Sequence, residues 1–478
     1  MTEQNASIKK INGDDSLMHI PEELMRFIRS DTYSLLLKGF AGTGKTTLAL
    51  TILKTLGTKN NFFYISTRIS PRQLFQYYPW LNNFVQQFKP KSANLASDKE
   101  VMPNFEDARL DEPESLFERI TNQLMDIKSP IIIIDSWDAI ASFMDREARL
   151  NNERVLQTWR ERAGAKLIFI SEHPDDTTLD FLMDGIVELK QNYYNNVKLR
   201  QMFLLKLRGI RINRPSYIYT LENSIFRTFA PYRPIKFEPR RRITVDVDAL
   251  EITTCDHIRS GFPALDAALG SGFPKKGLVL LEMDSKINMT IAVAFLQRIV
   301  SNFVSTGNPV LFQPFDGIDL YTIIEFFELS IPVGKKDLFK ILYTSNTNKA
   351  SENLIPLVKS RGSDALLATF LKIKQKYPDR LLLNIMWTDV MQRLYGAERV
   401  KREIKHIAYN MSTIADLSII VIRYSQEDIL ELLSEISDVR LRLMMINDTL
   451  FLQSLVPSST LYSLVLDERS SVGLDPIV

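Results

Sequence analysis

A single cysteine, Cys255, is present in the 478 residues of the chain. That excludes an internal disulfide framework, and one free thiol fits a reducing, cytoplasmic setting. Neither sign of charge dominates, because 59 lysines and arginines against 57 aspartates and glutamates leave a formal charge of +2. No global attraction to nucleic acid or to an anionic membrane follows, so any basic patch must be local. Long hydrophobic runs are missing too. The apolar stretches are strand-sized, such as 131–134, far short of the roughly 20 residues that cross a bilayer. The polar opening residues 1–15 lack the apolar core of a secretory signal. With 45% hydrophobic and 24% charged residues, the composition is globular rather than disordered, and the length calls for two large or three ordinary domains, of which two is the favoured reading.

What the chain does contain is an imperfect internal repeat of strand, loop, helix and strand. In the first half, a strand over 34–37 runs into a glycine-rich loop and 47–56 reads as a helix. Further strands are expected at 62–65, 131–134 and 166–170, with a helix-prone segment around 73–78 and an added hairpin from 202–207 and 217–221. The second half restarts with a strand over 278–281 and a helix over 292–300. Such alternation implies largely parallel sheets flanked by helices, with ligands at the carboxyl ends of the strands. The expected divisions are a disordered lead over 1–18, a first domain over 19–239, a linker over 240–256 and a second domain over 257–478. Pro231, Pro234, Pro239 and the run Arg240-Arg241-Arg242 mark the compositional break between the domains. Segment 92–114, rich in Lys, Ser, Asp and Pro, reads as an irregular surface insertion.

The glycine-rich loop is Gly39-Phe40-Ala41-Gly42-Thr43-Gly44-Lys45-Thr46, with the full spacing of a Walker A motif. Its glycines let the amides of Gly39, Ala41, Gly42, Thr43, Gly44, Lys45, Thr46 and Thr47 converge on phosphate oxygens. Lys45 supplies a point charge to the terminal phosphates, and the Thr46 hydroxyl a ligand for magnesium. ATP with Mg²⁺ is the expected cofactor. Asp135 closes an isoleucine-rich strand, where a carboxylate is otherwise costly, and suits the second magnesium-holding group. Asp138 in Asp135-Ser136-Trp137-Asp138 either orients water or caps the following helix. Glu172, just past the strand at 166–170, either senses phosphate or caps the next turn.

At these residues the chain resembles the RecA superfamily, and within it the archaeal KaiC-like ATPases. Phe63-Tyr64-Ile65-Ser66-Thr67-Arg68 and Ile134-Asp135-Ser136-Trp137-Asp138-Ala139-Ile140 resemble phrases of the gas-vesicle regulatory protein D family. Gly261-Phe262-Pro263-Ala264-Leu265-Asp266 resembles the opening of a second KaiC-like domain. The resemblance implies two tandem RecA-like P-loop domains, and the second is degenerate. It also implies that Lys206 and Arg208, in Lys206-Leu207-Arg208-Gly209, reach a neighbouring subunit's nucleotide in a homo-oligomeric ring such as a hexamer. Cations two residues apart lie on one face of a strand, as a phosphate clamp needs.

The pattern fails in two places. KaiC-like domains carry adjacent glutamates after the second strand, one of which activates water, where this chain has Arg68-Ile69. Slow hydrolysis at best follows. In the second half the phosphate loop reads Glu282-Met283-Asp284-Ser285-Lys286-Ile287-Asn288-Met289-Thr290, in which only Thr290 keeps its type. Glu282 and Asp284 are expected to repel triphosphate, and Ile287 to crowd it. Matching Trp387 to Trp137 puts Ile385 where Asp135 falls and leaves Asp389 displaced. The chain therefore reads as a KaiC-like regulatory ATPase, active in its first domain only, whose nucleotide state changes its assembly or its protein partner. The alternatives are a RecA-like DNA-processing or repair ATPase, for which Lys236, Arg240, Arg241 and Arg242 are the thin support, and a nucleotide-binding scaffold without turnover.

Overall fold

The computed structural model describes residues 20–57, 61–86, 104–109, 111–124, 127, 129–144, 155–156, 158–232, 252–253, 256–315, 319–343, 353–356, 362–466 and 472–478. Two compact units result, 1–229 with 477–478 and 230–476; the division falls at Phe229/Ala230, whereas the sequence suggests a boundary near 240. The lead 1–18 and most of the linker 240–256 lie outside the described residues.

In the first unit, β1 (Tyr33–Lys38), β2 (Phe62–Ser66), β3 (Phe105–Asp107), β4 (Ile131–Asp135), β5 (Lys166–Ser171), β6 (Gly185–Tyr194), β7 (Val197–Leu207), β8 (Ser216–Thr220) and β9 (Arg227–Thr228) make one sheet. Its order is β3-β2-β4-β5-β1-β6-β7-β8-β9. The strands from β3 through β6 in that order are parallel, and β7 to β9 add on antiparallel. The isoleucines of β4 show why the sheet is central. Ile131 and Ile133 pack with Leu35, Leu37 and the buried face of helix α2 (Lys45–Leu56), while Ile132 and Ile134 pack with Leu36, Trp137 and Phe169 on the other face. Each such side chain contributes roughly 1.5–3 kcal/mol by leaving water. A strand buried on both faces reads as a continuous apolar run, which is why β4 is legible.

Because β1, β2, β4 and β5 are parallel, the segments that follow them gather at one edge. These are the loop after β1, Thr67 and Arg68 after β2, Ser136 after β4, and Glu172 after β5. Two expectations need correction. Segment 92–114 is not wholly irregular, since it carries the edge strand β3 and, from Pro113, the start of a helix. The added hairpin also has a long inner strand, β6, which the sequence reading overlooked because its outer half, Lys190-Gln191-Asn192-Tyr193-Tyr194, is mostly exposed and polar or aromatic.

The second unit has a short antiparallel pair, β10 (His257–Ile258) and β11 (Phe273–Pro274). Its main sheet is built from β12 (Gly277–Met283), β13 (Val310–Phe312), β14 (Phe339–Tyr343), β15 (Leu354–Pro356), β16 (Leu383–Trp387), β17 (Leu417–Arg423), β18 (Val439–Ile446), β19 (Thr449–Val456), β20 (Ser458–Leu466) and β21 (Val472–Pro476). The order is β15-β14-β13-β16-β17-β12-β18-β19-β20-β21. Strand for strand, β14-β13-β16-β17-β12-β18-β19 repeats β3-β2-β4-β5-β1-β6-β7. The helix Met289–Ser305 follows β12 as α2 follows β1, and it is buried along most of its length. Leu443 and Met444 are core residues of β18. Among the described residues no helix is long and apolar enough to cross a membrane.

Candidate nucleotide site

Backbone shape at the loop requires glycine. Gly39 has φ 153° and Gly44 φ 94°. A Cβ on Gly39 would lie 2.3 Å from the Leu189 carbonyl oxygen, and one on Gly44 would lie 2.7 Å from the Leu221 side chain. Gly44 is also the N-cap of α2 and offers no side-chain cap, so the first-turn amides of that helix stay available to an anion. Three hydrogen bonds hold the loop's backbone from outside it. The Gly39 amide donates to the Ser171 carbonyl at 3.2 Å, Tyr219 donates its hydroxyl to the Thr43 carbonyl at 2.5 Å, and Arg200 Nη1 donates to the Gly42 carbonyl at 3.0 Å. Arg200 and Tyr219 come from β7 and β8. Neither is legible as a site residue from sequence, because each supports the loop from a distant strand.

The Lys45 ammonium is 5% exposed and donates to the carbonyls of Gly39 at 2.7 Å and Phe40 at 2.9 Å. Burial lowers its pKa below the usual lysine value, and the charges of Glu172, Asp135 and Asp138 offset part of that effect. At the end of β4, Asp135 Oδ2 accepts from the Thr46 hydroxyl at 2.6 Å and from the Tyr64 hydroxyl at 2.5 Å. Desolvation raises the Asp135 carboxyl above its ordinary range, against the opposing pull of those two bonds and of Lys45. Tyr64, fully buried on β2, is a third supporting residue that its apolar strand conceals in the sequence. Thr47 pairs with the Tyr78 hydroxyl at 2.9 Å.

Around this centre the ends of the strands are tied together. Thr67 donates its amide to the Asp135 carbonyl at 2.8 Å, and its hydroxyl accepts from the Ser136 amide at 2.7 Å. Arg68, the next residue, forms an ion pair with Glu172. Asp138 does not cap its own helix, Trp137–Ala141, whose N-cap is Ser136. Its carboxylate turns to the end of β5, accepting from Ser171 Oγ at 3.0 Å and from the Glu172 amide at 2.5 Å. Uncapped helix amides, a buried ammonium and a threonine hydroxyl touching a carboxylate form a donor set that fits a triphosphate with a divalent cation.

Residues 24–207 match the family described as GvpD gas vesicle protein, P-loop domain. That similarity is confined to the segment that carries the phosphate loop. Over 316 residues the chain is 23% identical to Protein GvpD2 of Halobacterium salinarum, covering 63% of the chain and 62% of that protein. It is 25% identical to Protein GvpD1 of the same organism over 314 residues, covering 62% and 56%. The circadian clock oscillator protein KaiC of Thermostichus vulcanus is 24% identical over 330 residues, covering 64% and 57%. The chain thus spans about three fifths of the length of these relatives.

The equivalent loop of the second unit departs from that of the first in both backbone and side chains. Strand register places Leu383 level with Gly277 through Leu417, as Ile131 is level with Tyr33 through Lys166. Counting up the strand, the counterpart of Asp135 is therefore Trp387, and the expected assignment of Ile385 is two residues short. Trp387 is buried and packs on Phe315, with ring centroids 4.9 Å apart, so an indole fills the place of a carboxylate. Asn288 accepts from the Thr290 amide at 3.3 Å and Asp284 from the Lys286 amide at 3.1 Å, so the loop's own side chains cover amides that a phosphate would need. Ile287 is 1% exposed and belongs to the core. Glu282 does not face a phosphate site. It is fully buried, and its two oxygens pair with Arg440 at 2.7 Å and Arg442 at 2.6 Å.

In the first unit Lys206 lies in β7 and Arg208 just past its end. Lys206 Nζ donates to the Asp180 carbonyl at 3.1 Å, and Arg208 Nη1 pairs with Asp184 at 2.9 Å. The Asp184 amide in turn donates to the carbonyl of Ser34, at the start of β1. Arg208 therefore stands level with the start of β1, about 15 Å from the loop at the roughly 3.3 Å rise of each strand residue, whereas Lys206 is level with Leu36 and shares Asp180 with Lys38, the residue before the loop.

Burial of Asp135 carries a testable cost. Because its folded pKa is raised, the native state binds the proton more tightly than the unfolded chain. The resulting stabilisation is complete below the unfolded value and is lost as pH rises through the folded one. At neutral pH, Asp135→Asn is expected to raise the melting temperature of the nucleotide-free protein, by about 2–4 °C for each kcal/mol recovered, while abolishing the dependence of nucleotide affinity on magnesium. A lower melting temperature, measured by scanning calorimetry, would count against a strained carboxylate.

Proposed function

We propose that the chain is a KaiC-like regulatory ATPase that takes magnesium ATP in its first unit and changes its assembly or its protein partner with nucleotide state. Amides of Gly39, Ala41, Gly42, Thr43, Gly44, Lys45, Thr46 and Thr47 bind the phosphates, Lys45 meets their terminal charge, and Thr46 and Asp135 hold the magnesium ion. When bound, the metal neutralises phosphate oxygens and orients the chain of phosphates. The observation that carries this reading is the contact of Thr46 with Asp135 beside an uncapped helix start.

The second unit has its equivalent loop covered by Asp284 and Asn288 and serves as a structural or partner-binding unit. Relatives named as a circadian clock oscillator and as GvpD proteins support a regulatory rather than a motor role. Lys206 and Arg208 act in trans within a homo-oligomer, on the neighbouring subunit's phosphates. Turnover is slow, since Arg68-Ile69 stands where the resemblance implies glutamates. Titration calorimetry with magnesium ATP, phosphate release, and solution mass with and without ATP test this reading together. Binding, slow release and a larger mass with ATP are expected; no heat with magnesium ATP would end the proposal.

A further inference from the structure

Hydrolysis needs a group that takes a proton from the attacking water, and the position after β2 that the resemblance assigns to it holds Arg68. Three carboxylates bear on the buried Lys45: Glu172, Asp135 and Asp138. Two of them are engaged. Asp135 accepts from Thr46 and Tyr64 and stands at the metal position, while Asp138 uses both oxygens to hold Ser171 and the Glu172 backbone. Glu172 remains. Its backbone is fixed by Asp138, and the preceding residue, Ser171, accepts from the first glycine of the loop. β5 lies between β4 and β1, so Glu172 emerges between the metal carboxylate and the phosphate loop. Its side chain is 23% exposed, within reach of water, and its ion-pair partner Arg68 is 48% exposed.

We propose that Glu172 is the catalytic base of this site, with Arg68 as the positioning residue that holds its carboxylate at the edge of β5; this rests on the ATPase reading above. The water oxygen bonds to the γ-phosphorus as the bond from that phosphorus to the β–γ bridging oxygen breaks. The bridging oxygen keeps the electron pair and leaves on ADP, and the water proton passes to the Glu172 carboxylate and then to solvent. Arg68, extending from a segment that Thr67 ties to Asp135 and Ser136, keeps the carboxylate from turning out to bulk water.

The test uses the full chain with Glu172→Gln and, as a variant that keeps the charge, Glu172→Asp. ATP affinity and single-turnover phosphate release are measured on each. Glu172→Gln is expected to bind magnesium ATP within about twofold of the parent and to release phosphate at least about 100-fold more slowly. Glu172→Asp, with its carboxylate drawn back by one methylene, should keep affinity and lose part of the rate; if the glutamine variant fails to fold, this split alone decides. Release that persists unchanged in either variant overturns the role of Glu172 and leaves the ATPase reading standing. Loss of ATP binding in the glutamine variant makes Glu172 a binding group and overturns the inference as well. A parent protein that binds ATP and releases no phosphate overturns both.

Discussion

Lys45→Ala is expected to weaken magnesium ATP binding at least about 100-fold, or about 2.7 kcal/mol, in titration calorimetry. The ammonium sits at the base of the loop with two backbone carbonyls as acceptors, and the approach of a triphosphate would replace those neutral acceptors with charged ones. Alanine removes the only cation in the loop and leaves its amides in place, so affinity should fall without loss of fold. Stability should hardly suffer. Burial already depresses the lysine pKa, so the charged form is a cost to the native state that alanine removes. Undiminished affinity in a variant with a native melting curve would mean that the loop does not grip phosphate, and every reading built on it would fail.

The loop and the Asp135 carboxylate were legible because local rules govern them. Glycines at fixed spacing answer a backbone demand, and a lone aspartate closing four isoleucines is conspicuous where burial makes charge expensive. Residues that support the site from other strands were not legible. Tyr64, Tyr219 and Arg200 are spread over more than a hundred positions of sequence and meet Asp135 or the loop through the sheet order. The error at Ile385 has the same origin, since matching two tryptophans in sequence ignores register. Trp137 belongs to the core on one face of its sheet, while Trp387 lies on the face of the second sheet covered by the helix Met289–Ser305, with Met289 and Ile291. Asp138 and Glu282 were misread because a charge in sequence does not disclose its partner. Asp138 turned out to hold the end of β5, and Glu282 lies in a buried pair with two arginines, where its charge is balanced rather than presented to a ligand.

For Arg208→Ala the expected result is a loss of about 10³-fold in phosphate release with little change in ATP affinity, as for a cation that meets the transferring group from a neighbouring subunit. The side chain is 64% exposed and its partner among the described residues is Asp184, so its removal leaves the first unit's core untouched. It also stands at the edge of the sheet opposite the loop, which makes a role in cis unworkable on distance alone. The decisive measurement mixes Lys45→Ala subunits with Arg208→Ala subunits, each inactive alone. In a head-to-tail ring with random placement, about a quarter of the interfaces pair an intact loop with an intact arginine, so about a quarter of the parent rate should return. Recovery on mixing identifies a shared site, because neither chain carries both groups. Mixed oligomers verified by mass that stay inactive would remove Lys206 and Arg208 from the catalytic set and leave their pairing with residues 180 and 184 as a structural feature of the sheet edge.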